Sequence, residues 1–221
     1  PVVGRGDGSD GSDVTAAREL VAAVGGRFSV EAGIDVDAGD HDVDRWFLAA
    51  TLFGTRISAA VAVRTYRVLD AAGVATVGDA GRRTWDDLVA LLDRGGYARY
   101  DFRTASRLLD LAAAVAAHHP RGIPALGRTT TDPGELVAAL DALPGWGPVT
   151  VRAFLRELRG VWPGAQPPLD DRTGRAAADL GLGGRPPTVA DLARLADRAG
   201  LDVRDLETAL VRLGLRHGGR T

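Results

Sequence analysis

From residue 14 almost to its end the chain places apolar residues at helical spacing, and strand signals are nearly absent. That pattern restricts it to helices packed on helices. The helix ends are signalled as well. Asp101 stands where it can cap a helix through Arg107, Leu108, Leu111 and Val115 to His118, with Pro120 stopping it. Asp132-Pro-Gly-Glu135 joins a capping side chain, proline at the first helical position and a carboxylate three residues after the cap, and Leu136, Leu140 and Leu143 then share a stripe. Thr188 with Asp191 opens a helix that carries Leu192, Leu195 and Ala199 and stops at Gly200. Asp202 caps a last helix, with Leu201 placed to staple against Leu206. Val74 to Val77 is a short strand candidate between helical segments. The expectation is an all-α fold of about ten helices with short loops and no internal repeat.

Several chemistries are excluded by composition. There is no cysteine, which removes disulfides, thiolate metal sites, cysteine-held clusters and a thiol nucleophile. The 27 basic residues are all arginine, so no lysine is present to form a Schiff base or act as acid or base. The longest apolar run, Leu111 to Ala117, falls far short of the roughly 20 residues of a membrane span. The opening PVVGRGDGSDGSD has neither the basic nor the apolar region of a secretory signal, and residues 1–12 read as a flexible tail. A cytoplasmic location is expected. Residues 1–44 carry ten acids against three arginines; the rest carries 24 arginines against 19 acids and is mildly basic. Such a body suits a polyanion, although arginines on solvated helix faces account for the same count.

Residues 132–175 stand apart. They read helix, tight turn, helix. Leu143-Pro-Gly-Trp-Gly-Pro148 sets two glycines two apart, which permits positive φ and close approach of the backbone to another group. The next helix puts Val151, Phe154, Leu155 and Leu158 on one face and Arg152, Arg156 and Arg159 on another, expected to look outward. A glycine turn opening into a helix N-terminus offers unpaired N–H groups and the positive end of a dipole, which suit a phosphate. An ordinary helical hairpin whose glycines only make the turn is the alternative.

The run Leu143-Pro-Gly-Trp-Gly-Pro-Val-Thr150, followed by Pro168-Leu-Asp-Asp-Arg-Thr-Gly-Arg175, resembles the helix-hairpin-helix DNA glycosylase superfamily, the endonuclease III relatives. Their signature is L-P-G-x-G-x-x-T, then an aspartate some twenty residues on and an arginine five residues after it. Asp170 and Arg175 match in type and offset. Phe47-Leu-Ala-Ala-Thr-Leu-Phe-Gly-Thr-Arg-Ile-Ser58 is similar to the family's early core helix and the polar turn after it, and Gly96-Tyr97 to the segment before its long helix. The likeness spans about residues 44–182.

The resemblance implies two helical lobes flanking a cleft: residues 44–160, ending in the hairpin 132–160, and residues 13–43 with 161–221. It implies a backbone phosphate of double-stranded DNA held at Gly145, Trp146, Gly147, Val149, Thr150 and Arg152, often with a monovalent cation, and contacts from Arg175. It also implies a target nucleotide flipped out of the helix, Tyr97 lining the base pocket, and Asp170 as the catalytic carboxylate that stabilises an oxocarbenium ion or activates water. Asp170 or Asp171 capping the next helix is compatible with that role. Trp146 has two readings, reaching the minor groove or packing between the helices, and Tyr97 has the alternative of a buried residue at a helix junction.

Departures from the family matter as much. Its lyase members carry lysine where Val149 stands, so a monofunctional glycosylase is implied. Its iron-sulfur cluster has no ligands here, so no cofactor beyond the cation and no metal site is expected; His118 and His119 suit the dipole of their helix end. Thr55-Arg56 replaces the glutamine that fills the gap left by the flipped base, and Arg56 is either that plug or a surface residue. A non-catalytic DNA-binding protein that kept the hairpin is the second reading, and a helical protein-interaction module the third. A monomer acting on the DNA of the nucleoid is expected.

Overall fold

In the computed structural model the described residues are 7–53, 57–183 and 186–217. Thirteen α-helices and one π turn are found among them, and no strand. None of these helices is long and apolar enough to cross a membrane. The chain divides into two units, Phe28–Pro167 and the residues before Phe28 together with those after Pro167.

The contiguous unit holds α2 (Phe28–Ala32), α3 (Asp40–Leu52), α4 (Ala59–Ala71), α5 (Val77–Ala80), α6 (Trp85–Leu92), the π turn Asp93–Tyr97, α7 (Asp101–His118), α8 (Ile123–Thr129), α9 (Pro133–Asp141) and α10 (Pro148–Glu157). Trp46, Phe47, Leu48, Ala49, Ala50, Thr51 and Leu52 of α3 are all buried, so the second half of this helix is enclosed on every side and forms the centre of the unit. Its Trp46 indole N–H donates to the Phe154 carbonyl of α10 at 3.2 Å. Phe47 packs on Trp146 with centroids 4.5 Å apart and on Phe154 at 5.6 Å.

The other unit holds α1 (Asp7–Val24), α11 (Asp171–Asp179), α12 (Val189–Ala199) and α13 (Val203–His217). Its core joins Ala17 of α1 to Ala176 and Ala177, Leu192 and Leu195, and Leu206 and Leu210. Arg18 closes the end of α12 by donating to the Ala199 carbonyl at 2.7 Å, where a cation also meets the negative end of the dipole.

The locally signalled ends form as read. Asp132 accepts the Glu135 N–H, Thr188 and Asp191 make a capping box, and Gly200 ends α12 in the left-handed conformation. Four expectations are corrected. Residues 7–12 lie in α1 and are not a tail, while residues 1–6 fall outside the described part. Asp101 is the first residue of α7 rather than its cap, its carboxylate accepting the N–H of Phe102. Val74 is a buried loop residue and Val77 opens α5 behind a capping box of Thr76 and Asp79, so no strand forms there. The contiguous unit also takes in residues 28–43 and 161–167, because Phe28, Ile34 and Val36 at one end and Trp162 and Ala165 at the other enter its core. The helices beyond the expected ten are short ones such as α2 and α5, of 5 and 4 residues, too short to show a period.

Candidate functional site

The hairpin is built by local rules. Asp132 and Pro133 start α9, and Leu136 and Leu140 hold it to the core. Leu143 to Trp146 is a type II turn, with Pro144 second, Gly145 third at φ 77° and the Trp146 N–H donating to the Leu143 carbonyl at 3.0 Å. Gly145 is therefore required by the fold, the more so because the Arg107 side chain lies across it where a Cβ would stand. Gly147 differs. Its backbone is extended, at φ −160° and ψ 176°, and nothing lies within 4 Å of the position its Cβ would take. The fold leaves that position open to any residue.

Gly147 is the N-cap of α10 and has no side chain to cap it, and Pro148 follows at the first helical position. The N–H groups of Gly147, Val149 and Thr150 are thus without a side-chain cap at the positive end of a ten-residue helix. Val149 is 71% exposed, whereas Thr150 is buried.

The remaining residues expected on this surface turn inward. Trp146 is buried, stacked on Phe47 and set edge-on to Phe154, and its indole N–H donates to Thr51 Oγ1 at 3.2 Å. It packs the hairpin to α3 and does not reach out toward a groove. The arginine face of α10 is not an outward face either: Arg152 is half-buried, Arg156 and Arg159 are buried, and Arg159 donates to the Pro167 carbonyl. Glu157, the last residue of α10, turns inward as well. It is fully buried, and its two oxygens accept the N–H groups of Phe28 and Ser29 at 2.8 Å each, capping α2. Burial pushes its carboxyl up, and the neighbouring Arg156 charge and these N–H groups pull it back. No local pattern distinguishes such a residue from a solvated glutamate.

Tyr97 is also a core residue. It is fully buried at the π turn, and its hydroxyl donates to the Leu52 carbonyl, so it lines no open pocket. Its environment is the helix junction of the alternative reading. Arg56 lies outside the described residues.

Asp170 stands in the other unit. It is the N-cap of α11, with Oδ1 accepting the Thr173 N–H at 2.8 Å. Half-buried, it shares the wall of an open concavity of about 820 Å³ with Leu169, Gly174, Arg175, Ala178 and Pro187. Arg175 is exposed on that wall. The hairpin residues are therefore assembled in one unit, and Asp170 with Arg175 in the other. His118 closes α7, and burial followed by the His118 charge lowers the His119 pKa. No group of three or more potential ligands that could hold a metal ion occurs among the described residues.

No protein-family model matches the chain, and no curated protein is similar to it.

Proposed function

We propose that this protein is a helix-hairpin-helix DNA glycosylase that removes a damaged or mismatched base by hydrolysis of its N-glycosidic bond. The observation that carries the reading is Gly147. The fold requires glycine at 145 and does not require it at 147, where the backbone is extended and the Cβ position empty. A glycine that the protein's own packing does not need suits a backbone approached closely from outside, and it sits among three amides that lack a side-chain cap, the arrangement that binds phosphate. Backbone carbonyls of the same turn are chemically suitable oxygen donors for a monovalent cation, which would add positive charge beside the phosphate.

Asp170 is the carboxylate of the reaction in this reading. Its Oδ1 is fixed by the Thr173 N–H, so the group is held in one orientation, and a fixed negative charge favours the developing oxocarbenium ion or takes a proton from the attacking water. Water adds to C1′, the base leaves, and the product is an abasic site. With no lysine in the chain, lysine-imine strand cleavage does not follow. The protein acts as a monomer on duplex DNA of the nucleoid.

The test is a single-turnover assay on duplexes bearing different lesions and mismatches, with alkali added afterwards to break abasic sites. Asp170→Asn is the matched control, because asparagine caps a helix as well as aspartate does and the variant should keep its melting temperature. Alkali-dependent breaks that disappear in Asp170→Asn support the assignment. Binding of duplex DNA with no product from any lesion refutes catalysis on that panel and leaves the hairpin as a non-catalytic DNA-binding element.

A further inference from the structure

The hairpin has a basic neighbour that its motif does not include. Arg107 of α7 runs its side chain across Gly145, so closely that a Cβ on that glycine would collide with its Cγ, Cδ and Nε. Arg103 precedes it by one helical turn and is exposed. Two residues four apart share a flank of a helix and stand about 6 Å apart along its axis. Neither arginine makes a hydrogen bond or ion pair among the described residues, and Asp110, three residues after Arg107, makes none either. Other arginines of the same unit do end on protein acceptors, among them Arg45 on Asp42 and Asp70, Arg64 on the Gly95 carbonyl and Arg159 on Pro167; what sets Arg107 apart is its place across the hairpin glycine.

An arginine stem packed on a turn, with its guanidinium unused by the protein, is a fixed donor beside that turn. We propose that Arg107 and Arg103 form a second phosphate-binding position, adjoining the hairpin, which grips the same strand of duplex DNA. The inference rests on the reading of the hairpin as a DNA site. One strand carries a phosphate for about every 3.4 Å of duplex axis, so an arginine pair about 6 Å apart spans about two phosphates. The amides of Gly147, Val149 and Thr150 then hold one phosphate through neutral N–H groups, and the arginines supply the charge that Arg156 of α10 and Arg159 just after it, both buried, do not.

The experiment measures affinity for a fluorescently labelled, undamaged duplex between about 50 and 200 mM salt. The proteins are wild type, Arg107→Gln, Arg103→Gln, the double variant and Val149→Glu. Glutamine keeps most of the stem over Gly145 and removes only the charge, and Arg107→Lys restores charge without the fork. Each phosphate neutralised contributes about 0.9 to the slope of log affinity against log salt. Arg107→Gln is expected to lower the slope by about 0.9, so that its affinity falls about 3.5-fold less than wild type over a fourfold rise in salt, and the double variant by about twice that; Arg107→Lys is expected to recover the slope. Slopes equal to wild type in both single variants overturn the inference. If Val149→Glu, which sets a negative charge among the amides, abolishes binding while the arginine variants behave as wild type, the hairpin reading stands and the inference alone falls. A wild-type protein with no affinity for duplex DNA removes both.

Discussion

Asp44 of α3 should weaken the fold at neutral pH, and neutralising it should strengthen the protein there and nowhere else. Its carboxyl is half-buried near Gly122 and makes no hydrogen bond or ion pair among the described residues. Its pKa is raised from the ordinary 3.8 to about 6, by burial first and the Asp40 carboxylate second, with His41 opposing them. An acid whose pKa is higher folded than unfolded binds its proton more tightly when folded. The stability it contributes is complete below about 3.8 and is lost as pH rises through about 6. At about 1.36 kcal/mol per pH unit this interval corresponds to about 3 kcal/mol, and with part of the carboxyl still in water about half of that, about 1.5 kcal/mol, should be realised.

Asp44→Asn keeps the shape, cannot ionise and sacrifices no hydrogen bond. Urea unfolding followed by tryptophan fluorescence, from pH 4 to pH 8, should give a stability difference between variant and wild type near zero at the acid end. It should climb to about 1.5 kcal/mol in favour of the variant above pH 7, at unchanged m-value. In an Asp40→Asn background the rise should move to lower pH, because one of the two causes that raise the pKa is gone. A difference that does not vary with pH, or a variant less stable than wild type at pH 7.5, would refute the reasoning.

The two hairpin glycines should separate in a melting experiment. Gly145→Ala forces a Cβ into positive φ and against Arg107, costing about 1–2 kcal/mol, whereas Gly147→Ala should stay within about 0.5 kcal/mol of wild type and lose DNA affinity only; equal destabilisation by both would remove the argument from Gly147. Gly127→Ala of α8 drives a Cβ into the indole of Trp162, an overpacking worth about 1–3 kcal/mol. Unfolding midpoints should show it, and Trp162→Phe should recover part of the loss in the double variant; additive effects would mean that the two positions are not in contact.

What was legible in the sequence is what neighbours along the chain decide. Asp132 with Glu135, and Thr188 with Asp191, cap their own helices, and the Pro144-Gly145 pair makes its own turn, so a reader of the sequence needs nothing distant to place them. Asp170 was legible as a cap for the same reason. The inward turn of Trp146, Arg156 and Glu157 was not, because it depends on α2 and α3, which lie over a hundred and nearly a hundred residues away: Glu157 is buried by the N–H groups of Phe28 and Ser29, and Trp146 by Phe47 and Thr51. The periodicity of α10 gives two faces and does not say that Glu157 turns inward to cap α2.

That distinction changes what the charge of the chain means. The excess of arginine after residue 44 suggests a generally basic surface, yet many of these side chains finish structural work. Arg64 ends on the Gly95 carbonyl, Arg159 on Pro167 and Arg212 on Gly26, while Arg45 and Arg204 meet Asp42 and Asp202. A guanidinium already satisfied by a carbonyl or a carboxylate must break that contact to neutralise a phosphate, and in so doing leaves an acceptor or a negative charge behind. Arg103 and Arg107 leave none, since neither has a partner among the described residues. The quantity that bears on a polyanion is therefore the number of arginines without a protein acceptor near the turn at Gly145, and the net charge of the chain is a poor measure of it.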